Sequence, residues 1–295
     1  MKALIAGAGV VGSEIGFQCA TGGLDVAMFD VSQKALETSR ASHVAFAALF
    51  QREGRLTHAE ASAALSRISY ETDIAIAAND ADIVSESVTE TWAIKEATYR
   101  ALSAHCPPKT IFTTNTSTML PSDLAKFTDR PNRFLACHVG RPVWDAKLLE
   151  IMPHDGTDPE LLDEIRAFAR RIGLIPIVLL KEQAGYVSNS IIAPFIIAGL
   201  DLVMRGVATY DDVDRLWMFG TKSTYGPIAM VDLMGIQTVY NGLKNLSDTA
   251  GKTEFQPILA YLKQEFLDKG KLGVQSGEGF YTYPDPAYGR ADFIS

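Results

Sequence analysis

Residues 2–30 read KALIA-GAGVVG-SEIGFQCATGG-L-DVAMF-D. Lys2–Ala6 is a mostly apolar run of strand length. Gly7–Gly12 is a glycine turn, Ser13–Thr21 continues as a helix, and Gly22-Gly23 stops it. Asp25–Phe29 forms a second strand closed by Asp30. A strand–turn–helix–strand unit of this size is the first half of a parallel α/β sheet. Within it, Gly7-Ala8-Gly9-Val10-Val11-Gly12 has the form G-x-G-x-x-G. The first glycine permits the tight turn, the second lets backbone approach a pyrophosphate, and the third lets helix pack close to strand. Free N–H groups at the helix start then favour phosphate. Asp30 lies eighteen residues past Gly12. A carboxylate there accepts from adenosine ribose hydroxyls and repels a 2′-phosphate, which predicts NAD over NADP. The expected cofactor contacts are Gly7, Gly9, Val10, Val11, Gly12 and Asp30. The plainer alternative is a tight turn followed by a loop acid.

Outward from this unit the alternation continues. Helices are expected from Ser32 to near Gly54 and over Thr57–Leu65, where Thr57 and Glu60 have capping-box spacing. Ile68–Tyr70, Ile83–Ser85, Thr110–Thr113, Phe134–His138, Leu148–Met152 and Ile175–Leu180 read as strands, with helices over Glu90–His105 and Pro159–Ile172. Repeated alternation means a mostly parallel sheet covered on both faces. After Leu180 only helical stretches follow, over Ser188–Arg205, Tyr210–Phe219, Ile228–Leu246 and Phe255–Lys269. The fold class is α/β, with an N-terminal mostly parallel sheet over 1–183 and an all-helical region over 184–295.

Composition narrows the function. The 295 residues are 47% hydrophobic and 21% charged, which excludes a disordered chain. Lys and Arg total 27 against 35 Asp and Glu, a net charge of −8, which argues against nucleic acid or an anionic membrane as partner. Cys19, Cys106 and Cys137 have neither disulfide-framework nor metal spacing, so no metal is expected. The apolar run Ile191–Leu200 is ten residues and contains Pro194, short of a bilayer span. The start, Met1-Lys2 followed directly by a strand and glycines, does not read as a signal peptide. A cytoplasmic setting is the expectation.

Proton chemistry needs a base near neutrality. Of five histidines, His43, His58 and His105 read as surface groups, and His154 as solvated in an acidic loop. His138 ends the apolar strand Phe134-Leu135-Ala136-Cys137, and ligands of open α/β sheets bind beyond the carboxyl ends of strands. Glu150, in Lys147-Leu148-Leu149-Glu150, is a carboxylate in apolar surroundings that needs a partner, and pairing with His138 would fix the imidazole tautomer. Asn115-Thr116-Ser117-Thr118 also follows a strand and offers hydroxyls and an amide to a substrate oxygen. The same residues equally read as a core histidine, a surface acid and a capped turn.

These pieces resemble the L-3-hydroxyacyl-CoA dehydrogenases, the short-chain 3-hydroxybutyryl-CoA type included, over nearly the whole chain. The matching elements occur in order: the glycine turn, Glu86-x-x-x-Glu90 then Lys95, Asn115-Thr116-Ser117, His138, Glu150, Gly185-Tyr186-Val187-Ser188-Asn189, and Gly277-Glu278-Gly279-Phe280-Tyr281-Thr282-Tyr283. The Ser117–His138 interval of twenty-one residues and the His138–Glu150 interval of twelve match as well. The resemblance implies a Rossmann-type NAD domain and a helical C-terminal domain that forms a homodimer. It implies His138 as general base, Glu150 as its orienting acid, and Ser117 and Asn189 at the substrate oxygen. It places Glu90, Lys95 and Asn115 near the nicotinamide half of the cofactor. Read without the resemblance, Asn189 is a polar residue capping a helix.

The departures bear on substrate. The family's Phe-Phe-Asn-Pro after the histidine is Val139-Gly140-Arg141-Pro142 here, its Asn-Arg is Asn189-Ser190, and its Pro-Met-Gly-Pro region reads Ser223-Thr224-Tyr225-Gly226-Pro227. Arg141 has two readings: a clamp for a substrate carboxylate, or a structural partner of an acid such as Asp145. Arg52 and Arg55 stand where family members carry lysines near the CoA nucleotide, or simply on a solvated helix end. The expected activity is therefore an NAD-dependent 3-hydroxyacyl-CoA dehydrogenase for short acyl chains. The alternative is a dehydrogenase of a free 3-hydroxy acid, like the gulonate and carnitine dehydrogenases of this fold, with Arg141 binding the carboxylate. A non-catalytic structural protein, like the lens crystallins recruited from this family, is the reading from another class, and the presence of His138, Glu150, Ser117 and Asn189 argues against it.

Overall fold

The computed structural model describes residues 1–250 and 253–293, so 251, 252, 294 and 295 of the expected helical region lie outside the described residues. It divides into two compact units, Met1–Val187 and Ser188–Ser295. The first unit runs β1 (Lys2–Ala6), α1 (Val10–Thr21), β2 (Asp25–Phe29), α2 (Gln33–Arg52), α3 (His58–Ser66), β3 (Ile68–Glu71), α4 (Ile74–Ala78), β4 (Ile83–Glu86), α5 (Trp92–His105), β5 (Ile111–Thr114), α6 (Pro121–Leu124), β6 (Phe134–Val139), α7 (Val143–Ala146), β7 (Leu148–Met152), α8 (Leu161–Arg171) and β8 (Ile175–Val178). The eight strands order as β3-β2-β1-β4-β5-β6-β7-β8. Every neighbouring pair is parallel except β6 with β7, which is antiparallel.

Side chains alternate between two covered faces, which is why the strands read as nearly continuous apolar runs. Ala3, Ile5, Val26, Met28, Leu135 and Cys137 pack on one side with Phe17, Leu36, Phe50, Trp144 and Phe168. Leu4, Ala6, Ala27, Phe29 and Phe134 pack on the other with Tyr99, Leu102 and Leu124. The Thr57–Glu60 capping box forms as the spacing predicts. α4 was not anticipated; its five residues are too few to show a period.

Two histidine assignments are corrected. His43 is fully buried, not a surface group. Its Nδ1 lies 2.6 Å from the Tyr70 hydroxyl and its Nε2 2.9 Å from the Ser13 carbonyl. Burial pushes its pKa down to about 4. His154 is half-buried and held at both ring nitrogens, by the Pro131 carbonyl and the Gly156 N–H.

The second unit begins within α9 (Tyr186–Met204) and holds α10 (Tyr210–Thr221), α11 (Pro227–Met234), α12 (Ile236–Ala250) and α13 (Gln256–Glu265). The single helix expected over Ile228–Leu246 is two, because Gly235 at φ +89° breaks it. The expectation that no segment reaches membrane-spanning length is also corrected. Pro194 sits inside α9 without ending it, and the nineteen-residue helix is long and apolar enough to cross a bilayer by length and composition. Two fully buried carboxylates organise this unit. Asp214 of α10 accepts from the N–H groups of Ile228 and Ala229 at the start of α11 and from the Tyr281 hydroxyl. Asp232 of α11 accepts from the N–H groups of Phe280 and Tyr281 and from the Tyr283 hydroxyl. A Cβ on Gly279 would sit 2.1 Å from an Asp232 oxygen. The Gly-Glu-Gly-Phe-Tyr motif is thus a structural clasp.

Candidate active site

The glycine turn fits a dinucleotide. Gly7 has φ +106°, and a Cβ on Gly12 would lie 1.9 Å from the Gly7 carbonyl oxygen, so both must be glycine for α1 to start against β1. A Cβ on Gly9, by contrast, would meet nothing within 4 Å. That open side is where a pyrophosphate would approach the backbone. Gly9 caps α1 with no side-chain bond, and the first turn carries no acid, so its amide dipoles stay available to an anion. Val10 is well exposed at the first helical position, and Val11 is half-buried beside it. Asp30, at the end of β2, accepts from the Ala8 and Ser32 N–H groups, one on each oxygen, which ties it to the turn. The remaining lone pairs of those oxygens are the ones a ribose diol would use.

The base is a cross-strand pair. In the antiparallel β6–β7 ladder His138 faces Glu150, so both side chains leave the sheet on one side. His138 Nδ1 lies 3.1 Å from Glu150 Oε2, and its Nε2 lies 3.2 Å from Ser117 Oγ. An ionised Glu150 accepts from Nδ1–H, the tautomer in which Nε2 is the basic nitrogen. Glu150 is nearly buried, and its Oε1 accepts from the Val187 N–H at 3.0 Å. Ser117 is exposed, with its hydroxyl beside the basic nitrogen.

Beneath Ser117 lies a second network, at the ends of β4 and β5. Glu86 and Lys95 are buried and paired at 2.7 Å. Glu86 also accepts from Tyr99, Thr114 and the Val88 N–H. Glu90 accepts from Lys95 at 3.0 Å and from the Thr116 and Thr118 hydroxyls. Burial alone would raise the Glu90 carboxyl, but the Thr116 bond and the Lys95 charge hold it below the usual range. Lys95 is 1% exposed and braces the Ser117 loop through Glu90. Asn115 Oδ1 accepts from the Val139 N–H, joining the end of β5 to the end of β6.

The arginines separate. Arg141 pairs with Glu14 of α1, Nη2 to Oε1 at 2.8 Å, and not with Asp145, which is the partner of Arg55. The other Glu14 oxygen accepts from the Val143 N–H, so the loop after β6 is tied to the helix that starts at the glycine turn. Glu14 is buried while the Arg141 side chain is 51% exposed. Arg55 is also paired with Glu53, and Arg52 is exposed in the last turn of α2. Asn189 lies in α9, in the second unit. Sequence reasoning gave no role to Glu14, Glu86 or Tyr186. The signal for Glu86 was a charge ending an apolar strand; for Tyr186 it was the preceding Gly185.

Known proteins resemble this chain along nearly its whole length. The family described as 3-hydroxyacyl-CoA dehydrogenase, NAD binding domain, matches residues 2–183, and its C-terminal domain matches residues 185–283. A probable 3-hydroxybutyryl-CoA dehydrogenase of Bacillus subtilis is 31% identical over 282 residues, 96% of this chain and 97% of that one. The solved structure of a diketoreductase, described for substrate-directed dual catalysis of dicarbonyl compounds, is similar with TM-score 0.90 and 39% identity over 96% of this chain and 99% of that one. The (S)-3-hydroxybutyryl-CoA dehydrogenase of Ralstonia eutropha is similar with TM-score 0.83 and 28% identity over 96% and 99%. With a glycine turn shaped for the dinucleotide and a histidine–glutamate pair at the carboxyl end of its sheet, the chain belongs to the 3-hydroxyacyl-CoA dehydrogenase family of NAD-dependent oxidoreductases.

Proposed function

We propose that the protein interconverts the hydroxyl and keto groups at C3 of a short-chain 3-hydroxyacyl-CoA. The observation that carries this is the line Glu150–His138–Ser117, which sets His138 Nε2 beside an exposed hydroxyl. Bound NAD supplies the hydride acceptor. His138 Nε2 takes the hydroxyl proton as the carbonyl forms, and Glu150 stabilises the imidazolium through Nδ1–H. Ser117 holds the substrate oxygen next to Nε2, with Asn189 as its second donor. Asp30 selects the ribose, Gly9 makes room for the phosphates, and Glu90 and Asn115 fix the loops on either side of the nicotinamide. Arg52 and Arg55 are the proposed contacts for the CoA nucleotide.

The apolar helix α9, with only 17% of its most apolar window buried, supports a homodimer formed through the helical unit. The cytoplasm is the proposed location. A second reading is favoured by Arg141, whose guanidinium is anchored to Glu14 yet half-exposed, and by the likeness to an enzyme of dicarbonyl compounds. In that reading a free keto acid docks its carboxylate on Arg141.

The test is NADH oxidation with acetoacetyl-CoA and, in parallel, acetoacetate and a small dicarboxylic keto acid. Turnover of the thioester alone supports the first reading. Turnover of a free acid alone moves the substrate to the second, and Arg141→Asn must then abolish the preference for acids.

A further inference from the structure

Tyr186 is a bulky residue at φ +55°, directly after Gly185 at φ +81°. Left-handed backbone is unfavourable for a large side chain and persists where its surroundings over-determine it. Here they do. The Tyr186 ring is fully buried and lies flat against the His138 imidazole, with centroids 4.4 Å apart and planes 15° from parallel. Its hydroxyl donates to the Thr116 carbonyl at 2.8 Å, the residue before Ser117. Burial pushes the phenol well up from its ordinary range, so it remains a donor. The next residue, Val187, gives its N–H to the Glu150 oxygen that His138 does not use. One two-residue step of backbone thus touches His138 and Glu150 directly and holds the residue before Ser117. Ala136, Met152 and Leu179 pack with it in one apolar cluster.

We propose that Tyr186 is a positioning residue for His138, its ring fixing the plane of the imidazole. This rests on the reading of His138 as the base. The bonds at Nδ1 and Nε2 lie at the ring edge, and small rotations about Cβ–Cγ are limited only by their angular tolerance. A flat aromatic neighbour closes that motion on one side and keeps the Nε2 lone pair aimed beside Ser117. The electron-rich face also favours the imidazolium that forms when the proton is taken. The hydroxyl bond to Thr116 sets where the ring lies, and the left-handed turn at Gly185-Tyr186 brings it there.

The experiment compares Tyr186→Phe and Tyr186→Leu in the NADH assay and follows the His138 Hε1 proton resonance, assigned by its absence in His138→Gln. Tyr186→Phe keeps the ring and is expected to hold kcat within about threefold, whereas Tyr186→Leu loses about tenfold or more with little change in KM for NADH. In the parent protein the Hε1 resonance is expected upfield of a free imidazole through the ring current. Tyr186→Leu with parental kcat overturns the proposal, and so does a Tyr186→Phe defect as large as that of Tyr186→Leu. Should Tyr186→Leu not fold, an Hε1 resonance in the parent without an upfield displacement overturns it as well. A parent that turns over no substrate removes the proposed function instead, and the resonance alone then decides the stack.

Discussion

Glu86 keeps a carboxylate with no exposure at the end of β4, and Lys95 reaches it from α5 with 1%. Such a pair is held together by the cost of separating it, and removing Glu86 leaves the buried ammonium with Glu90 as its remaining acid. Glu86→Gln is predicted to lower the unfolding free energy by about 3 kcal/mol in urea denaturation. His43 carries a different liability. Its imidazole stays neutral in the fold down to about pH 4, while in the unfolded chain it takes a proton near 6.5. The unfolded state binds more protons across that window, so stability is full above it and is lost as pH falls toward 4, by roughly 3 kcal/mol. Urea midpoints measured at pH 7 and 4.5 check this, and His43→Gln should flatten the His43 share of the slope. For the proposed base, His138→Gln is predicted to reduce kcat by about a hundredfold or more at unchanged thermal midpoint.

Two glycines of one turn make a prediction for the β1–α1 element. A methyl on Gly12 collides with main chain at 1.9 Å, whereas one on Gly9 enters open space. Gly12→Ala is therefore expected to lower both thermal midpoint and NADH affinity, and Gly9→Ala to lower NADH affinity alone, read by melting and by fluorescence titration. This element was legible in the sequence because its glycines, its short strands and Asp30 all lie within thirty residues. The His138–Glu150 pair was legible for a related reason: twelve residues of chain close on a single antiparallel ladder. Contacts across longer stretches were not. Arg141 meets Glu14 from 127 positions away, and His43 finds Tyr70 and Ser13 on separate elements. Neither pairing leaves a periodic trace. The break at Gly235 sits inside the apolar run Met234-Gly235-Ile236, which continues a helix pattern on either side. The left-handed conformation of Tyr186 has no signature in its own identity.

At the scale of the whole molecule, α9 presents apolar side chains that its own chain leaves uncovered, Ile191 being 64% exposed. Sedimentation is predicted to give a dimer, and Ile191→Glu to shift it toward monomer without lowering the thermal midpoint of the single chain, since the side chain is not part of the core. The sheet carries a further consequence through its one antiparallel pair. Because facing residues of β6 and β7 share a side, the proton-handling pair depends on counting, not on the shape of the connection between the strands. Segment 140–147 is pinned by Arg141 and Val143 on Glu14 and by buried Trp144, so changes made to suit another substrate must keep these anchors. A one-residue slip of β7 against β6 would instead turn Glu150 to the opposite side and leave the histidine without its acid. Anyone grafting new specificity onto this scaffold must respect the Glu14 anchor of the loop and a parity rule in the strands.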